Sequence, residues 1–139
     1  MKKIPTDLDI LKAIYKLYES QYPGSNTPGE KGENDPYMPI DLHAVANKLK
    51  CRPEMIFGRL YYHLDSKYRY EQSPNVSVHL FAFKVGDKMH CINFPYLAAV
   101  IAEKDLEHRR NLWSLGLSIV AIIISGAAML SGYIAFYVK

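Results

Sequence analysis

Through most of the chain, apolar residues recur in short periodic stripes, and at the C-terminal end they run on unbroken. Ile10, Leu11, Ile14, Leu17 and Tyr18 fall at three- and four-residue spacing, which predicts a first helix with one apolar face. Thr6 is placed to cap it, Asp7 and Asp9 sit in its positive first turn, and it should stop before Pro23. Residues 23–36, PGSNTPGEKGENDP, hold no large apolar side chain and predict a loop, read as a plain insertion rather than a lid. Tyr37–Ile40 fits a short strand. Asp41 suits the N-cap of a second helix that turns Leu42, Val45, Ala46 and Leu49 inward. After a tight turn at Lys50–Arg52, Pro53 opens a third helix running to about Ser66, with Ile56, Leu60 and Leu64 as its apolar positions.

Val76–Val85 is rich in β-branched and aromatic residues, and with Lys88–Phe94 it predicts a hairpin around the two-residue turn Gly86-Asp87. Such a turn fixes the register. Val85 faces Lys88, Phe83 faces His90, Phe81 faces Ile92 and His79 faces Phe94 on one side; Lys84 faces Met89, Ala82 faces Cys91 and Leu80 faces Asn93 on the other. Pro95 can start a last helix, and no later proline interrupts it.

That helix leads into Leu112–Val138, 27 residues with no charge and no proline. About 20 apolar residues in helical form cross a bilayer core. In such a core a helix is the single-segment structure that satisfies every backbone N–H and C=O. Trp113 near one end and Tyr133 and Tyr137 near the other suit the two membrane interfaces, with Arg109 and Arg110 as further anchors. Lys104, Arg109 and Arg110 precede the span and Lys139 alone follows it, so the positive-inside rule puts the head in the cytoplasm. The N-terminal stretch MKKIPTDLDILK has acids where a signal peptide needs an apolar core. The expectation is a tail-anchored, single-pass protein of the cytoplasmic (inner or plasma) membrane. Residues 1–94 form its cytoplasmic domain, 95–111 a juxtamembrane helix and 112–138 the transmembrane helix. In a reducing compartment Cys51 and Cys91 are expected as free, core-facing thiols.

The charge balance adds little. Seventeen basic and 14 acidic residues leave a net +3, weak for a dedicated nucleic-acid binder.

The stretch Ile40–Leu64, IDLHAVANKLKCRPEMIFGRLYYHL, resembles the helix-turn-helix of the winged-helix superfamily. Ala46 stands where that superfamily needs a small residue for close helix crossing, and Val45, Leu49, Cys51, Ile56 and Leu60 fill its apolar slots. The resemblance covers roughly residues 6–94 and implies an α+β fold, a winged helix-turn-helix domain followed by the long helix. Residues 76–94 would be the wing. Lys50 departs from the pattern, because many relatives have glycine in that turn. The resemblance also implies a partner or DNA face on the third helix, made of Arg52, Glu54, Phe57, Gly58, Arg59 and Tyr62. Its chemistry suits DNA poorly: Glu54 repels phosphate, Phe57 is apolar, and Gly58 costs about 1 kcal/mol of helix propensity. With few cations, counterion release contributes little to affinity.

The five histidines are scattered and form no paired ligand motif, and no nucleophile elbow, phosphate loop or acidic metal motif is present. No catalytic residue, metal or cofactor is therefore expected. Asp65-Ser66 reads as a frayed helix end. The tyrosines Tyr61, Tyr62, Tyr68 and Tyr70 read as packing or interface residues.

Within the span, Ser114, Ser118, Ala121, Ser125, Ala128, Gly132 and Ala135 are spaced 4, 3, 4, 3, 4, 3, a seam of small residues suited to helix pairing. Self-association, or pairing with another membrane protein, is expected through it, with interhelical hydrogen bonds from the serines. The preferred reading is a non-enzymatic interaction module that docks a cytoplasmic protein at the membrane. The alternatives are a membrane-tethered transcription regulator and a small effector that senses through its head and clusters in or perturbs the bilayer.

Overall fold

The computed structural model describes residues 4–22 and 35–138. The loop expected at 23–36 lies outside the described residues except for its last two positions. By internal packing the chain divides into two units, residues 1–102 and 103–139.

In the first unit, helix α1 spans Asp7–Tyr18. Thr6 and Asp9 form a reciprocal capping box: Asp9 N–H donates to Thr6 Oγ1 at 3.2 Å and Thr6 N–H to Asp9 Oδ2 at 2.9 Å. Strand β1 is Tyr37–Pro39, and α2, Leu42–Leu49, is capped by Asp41, whose Oδ1 accepts from His43 N–H at 2.8 Å. Lys50 ends α2 in the left-handed region, φ 53°. This is why glycine is common there in winged helices, since a Cβ makes that conformation costly.

A continuous helical run covers residues 53–68, in three parts. These are α3 (Pro53–Gly58), a π-helical segment (Arg59–Leu64) and α4 (Asp65–Tyr68). Ile56, Leu60 and Leu64 are fully buried. Residues four apart drift one way around an α-helix and back the other way where turns widen to i→i+5 bonds. The π segment thereby keeps the stripe on one face. The run ends at Tyr68, two residues beyond the expected Ser66.

The sheet departs most from expectation. Val76–Val85 is not one strand. Its first part, β3 (Val76–Val78), pairs antiparallel with β2 (Tyr70–Ser73). The second part, β4 (Phe81–Val85), pairs with β5 (Lys88–Asn93). Phe81↔Ile92, Ala82↔Cys91, Lys84↔Met89 and Val85↔Lys88 stand in the expected register, and Asn93 N–H donates to Leu80 O at 2.9 Å. The expected His79–Phe94 pair does not form, because His79 turns to Asp65 and Phe94 begins a helix. His90 is left-handed, φ 52°, so regular pairing lapses where it faces Phe83. β1 completes a three-stranded sheet in the order β1-β5-β4. Pro39, without an N–H to donate, sits on an edge strand as it must.

Helix α5, Phe94–Tyr137, opens with Tyr96 N–H on the side chain of buried Asn93, at 3.2 Å. Its Leu97 and Val100 are buried with Ile10, Leu11 and Ile14 of α1 and Phe81 and Ile92 of the sheet in one core. Three tyrosine hydroxyls tie the elements together. Tyr18 accepts from Asp41 N–H at 2.7 Å, Tyr96 donates to Tyr68 O at 2.7 Å, and Tyr37 meets the backbone of His79. Cys91 is buried in this unit, while Cys51 is half-buried; both are free.

The second unit is the rest of α5, residues 103–137, with its side chains exposed except at Lys104 and Asp105. Its apolar window is long enough to cross a membrane, and none of that window is buried in the structure. The mixed helix-and-sheet head with a single candidate C-terminal span stands as expected.

Glycine in place of Lys50 removes the left-handed strain. The Lys50→Gly protein should gain about 1 kcal/mol. The check is a rise in Tm of several degrees in thermal unfolding of the full chain in detergent; an unchanged or lower Tm refutes the account of the turn.

Candidate interaction face

The helical run 53–68 is fastened at two places by carboxylate contacts. In its middle, Asp7 at the head of α1 holds Arg59, and its other oxygen lies 3.2 Å from His63 Nε2. Toward its end, Asp65 is 1 % exposed and carries four contacts. Arg69 donates Nη2 at 2.6 Å and Nε at 3.3 Å, His79 Nδ1 lies at 3.1 Å, and Phe81 N–H donates at 3.2 Å. Burial on its own pushes the Asp65 carboxyl up, and is the largest single influence. The bonds from Arg69, His79 and the Phe81 amide together outweigh it and hold the carboxyl below its ordinary value. Far from being a frayed helix end, Asp65 is the polar hub of the head. At the sheet's far side, Lys88 donates to Asp35 at 2.9 Å and, with the Tyr37 amide, lowers that carboxyl too.

The same run carries an aromatic cluster centred on Phe57. Its ring stacks on Tyr61 at 5.4 Å and meets Tyr62, Phe81, Phe83 and His90 edge-on at 5.9–6.5 Å. Phe81 is buried beneath, while Tyr62 is 72 %, Phe83 43 % and Tyr61 39 % exposed. Helix and hairpin thus present one aromatic face. Tyr61, read from the sequence as a packing or interface residue, belongs to it, and so does Phe83, which the third-helix positions did not reveal.

The other expected face residues divide. Arg52 and Glu54 are exposed and lie 3.6 Å apart. Phe57, Gly58 and Arg59 are half-buried, not fully exposed. Arg59 is turned onto Asp7, and its Nε is buried without a partner. A Cβ added at Gly58 would meet only the Tyr62 ring, at ordinary contact distance, so packing within this chain does not require glycine there. Among the described residues, no three His, Cys, Asp or Glu side chains converge as a metal site. Burial raises both the Cys51 and Cys91 thiols above their ordinary value, which favours the protonated form.

In the second unit, the seven seam positions share one stripe because α5 is unbroken through them. Ser118 Oγ donates to Ser114 O at 2.9 Å and Ser125 Oγ to Ala121 O at 2.8 Å. These hydroxyl protons already have partners within the helix. The interhelical bonds expected of Ser118 and Ser125 therefore compete with bonds in hand, and close backbone approach is the stronger reason for a seam. Arg109, Arg110, Trp113, Tyr133 and Tyr137 are all exposed, with the last two rings 4.6 Å apart.

Compared with protein-family models, curated proteins and solved structures, the chain matches none.

Asp65 makes the head acid-sensitive in a defined sense. A carboxyl held below its unfolded value of about 3.9 stabilises fully above that pH, and the contribution is lost as pH falls through the folded value. Asp65→Ala should cost about 2–4 kcal/mol at pH 7, because the Phe81 amide and the Arg69 and His79 side chains lose their acceptor. Acid titration of both proteins by near-ultraviolet circular dichroism checks it. The difference should shrink below pH 4, and a constant difference refutes the assignment.

Proposed function

We propose that this chain is a non-enzymatic protein-interaction module held at the cytoplasmic face of a membrane, with a winged helix-turn-helix head and a single tail-anchoring span. The element order supports the winged-helix reading: α1, β1, α2, a tight turn, a third helical run and the β4–β5 hairpin. The inserted β2–β3 hairpin is an addition to that pattern. The span reading rests on the length and apolarity of the second unit. The cytoplasmic placement rests on the cations Lys104, Arg109 and Arg110 before the span.

One observation carries the choice of a protein partner over DNA. Where a DNA reader presents cations to phosphates, this head presents Tyr61, Tyr62 and Phe83 around Phe57. Arg59 is neutralised by Asp7, and Arg52 has Glu54 beside it. Aromatic residues gathered over a packed base are what protein interfaces enrich.

Two measurements test this. The full chain in lipid nanodiscs should bind duplex DNA no tighter than about micromolar at physiological salt, the non-specific range, and Arg59→Ala should change nothing. A nanomolar, sequence-selective complex lost in Arg59→Ala would make the head a DNA reader. For topology, an impermeant maleimide applied to intact cells should label a cysteine added after Val138 and spare one added near the N-terminus. The opposite pattern overturns the cytoplasmic placement.

A further inference from the structure

We infer that two adjoining hollows beside the turn between α2 and α3 bind a free single-chain amphiphile with an anionic head, of the medium-chain carboxylate class. The inference goes beyond the interaction reading and does not rest on it.

The approach to α1, the end of α2 and the start of the run 53–68 make the site. One hollow, of about 430 Å³, is lined by Asn47, Lys50, Cys51 and Arg52. The other, of about 280 Å³, is lined by Ile10, Ile56, Gly58 and Arg59. Ile4, Pro5 and Met55 belong to the walls of both, so the hollows adjoin. Their size and make-up, apolar walls with a few polar groups, are those of small-molecule sites.

Charge decides which way the ligand lies. Lys50 and Arg52 line the first hollow, and no carboxylate lines either one. Glu54 lies 3.6 Å from Arg52 in a pair open to water, weak enough for a ligand carboxylate to replace it. The carbonyls of Ala46 and Asn47 at the end of α2 already accept from the Lys50 amide. In the second hollow the one charged side chain is Arg59, which Asp7 holds, so an anionic head there would meet Asp7. The head therefore belongs at Lys50 and the chain over Ile10, Met55 and Ile56. A peptide fits less well, because its backbone N–H and C=O groups would lie against these apolar walls without partners.

Two residues that weaken the fold both line this site. Lys50 is left-handed, φ 53°, where glycine would be relaxed. Gly58 weakens the helix, although its φ of −60° is ordinary and an added Cβ would meet only the Tyr62 ring, at 4.0 Å. A ligand accounts for each: Lys50 supplies charge to its head, and Gly58 leaves room for its chain. Departures from local rules of this kind gather at functional sites.

Cys51 lines the first hollow and serves as the reporter, while Cys91 is buried. The full chain in phosphatidylcholine nanodiscs is treated with N-ethylmaleimide, and the modification rate of Cys51 is read by mass spectrometry with and without octanoate. Octanoate should slow the reaction saturably, and 1-octanol at the same concentrations should not. Lys50→Gly should raise the half-saturating concentration about fivefold, and Gly58→Leu, which fills the second hollow, should abolish the protection. Both substitutions relieve a local cost, so an unchanged or raised Tm separates lost binding from lost folding. Absence of saturable protection, equal protection by 1-octanol, or protection undiminished in Gly58→Leu overturns the inference. So does protection by a short peptide with a free C-terminal carboxylate where octanoate gives none. Protection produced by phosphatidylglycerol in the disc, with octanoate adding nothing, would move the anionic head to the bilayer and overturn the free ligand.

Discussion

The burial of one carboxylate governs more of the head than any single apolar contact. A charge removed from water must be paired or it destabilises the fold by several kcal/mol. Asp65 is paired by groups from three directions: Arg69 one turn along, His79 from the strand connection and the Phe81 amide from β4. Each has a structural consequence. The helical run continues far enough to bring Arg69 within reach. His79 leaves the strand direction, so β3 and β4 separate. β4 is an edge strand, and its Phe81 N–H points away from β5, because the neighbouring Leu80 carbonyl points toward it. Asp65 supplies the partner that a further strand would otherwise provide.

This explains which parts of the fold were legible in the sequence. The stripes in α1 and in the run 53–68, the caps Thr6 and Asp41, and the β4–β5 register depend on spacings of a few residues. Local periodicity reports such features directly. The break at His79 depends on a partner 14 residues away, and the withdrawal of Arg59 depends on Asp7, 52 residues away. Val76–Val85 has the composition of one strand throughout, and no local signal in it announces the change of partner. The β2 segment, Tyr70–Ser73, is polar and fully exposed, so it lacks the alternation that marks a half-buried strand. Of the candidate face, Tyr62 and Phe57 were legible from helix position. Phe83 was visible only as a strand residue, because its place beside them depends on how the hairpin packs on the helix.

The two aspartate fastenings also shape the electrostatics of the head. Asp7 and Asp65 each take up an arginine and a histidine that lie on or next to the helical run. Arg59 and Arg69 are thereby paired in place. Tyr61, Tyr62 and Phe83 remain exposed, and Asp41, His43 and Glu54 line the groove beside Phe57. An aromatic surface by itself attracts partners without long-range steering. Such a surface works best where encounter does not depend on diffusion in three dimensions.

A membrane tail, if the candidate span is one, would supply that condition. Confinement to a plane with one orientation raises the encounter rate between anchored molecules without adding a contact, so a modest patch becomes effective there while remaining ineffective in solution. The tail's own chemistry is consistent with a permissive association. Its small residues let backbones approach, and Ser118 and Ser125 direct their protons to carbonyls of their own helix. Pairing that depends on packing alone, with no polar group compelled to find a partner, is readily reversible.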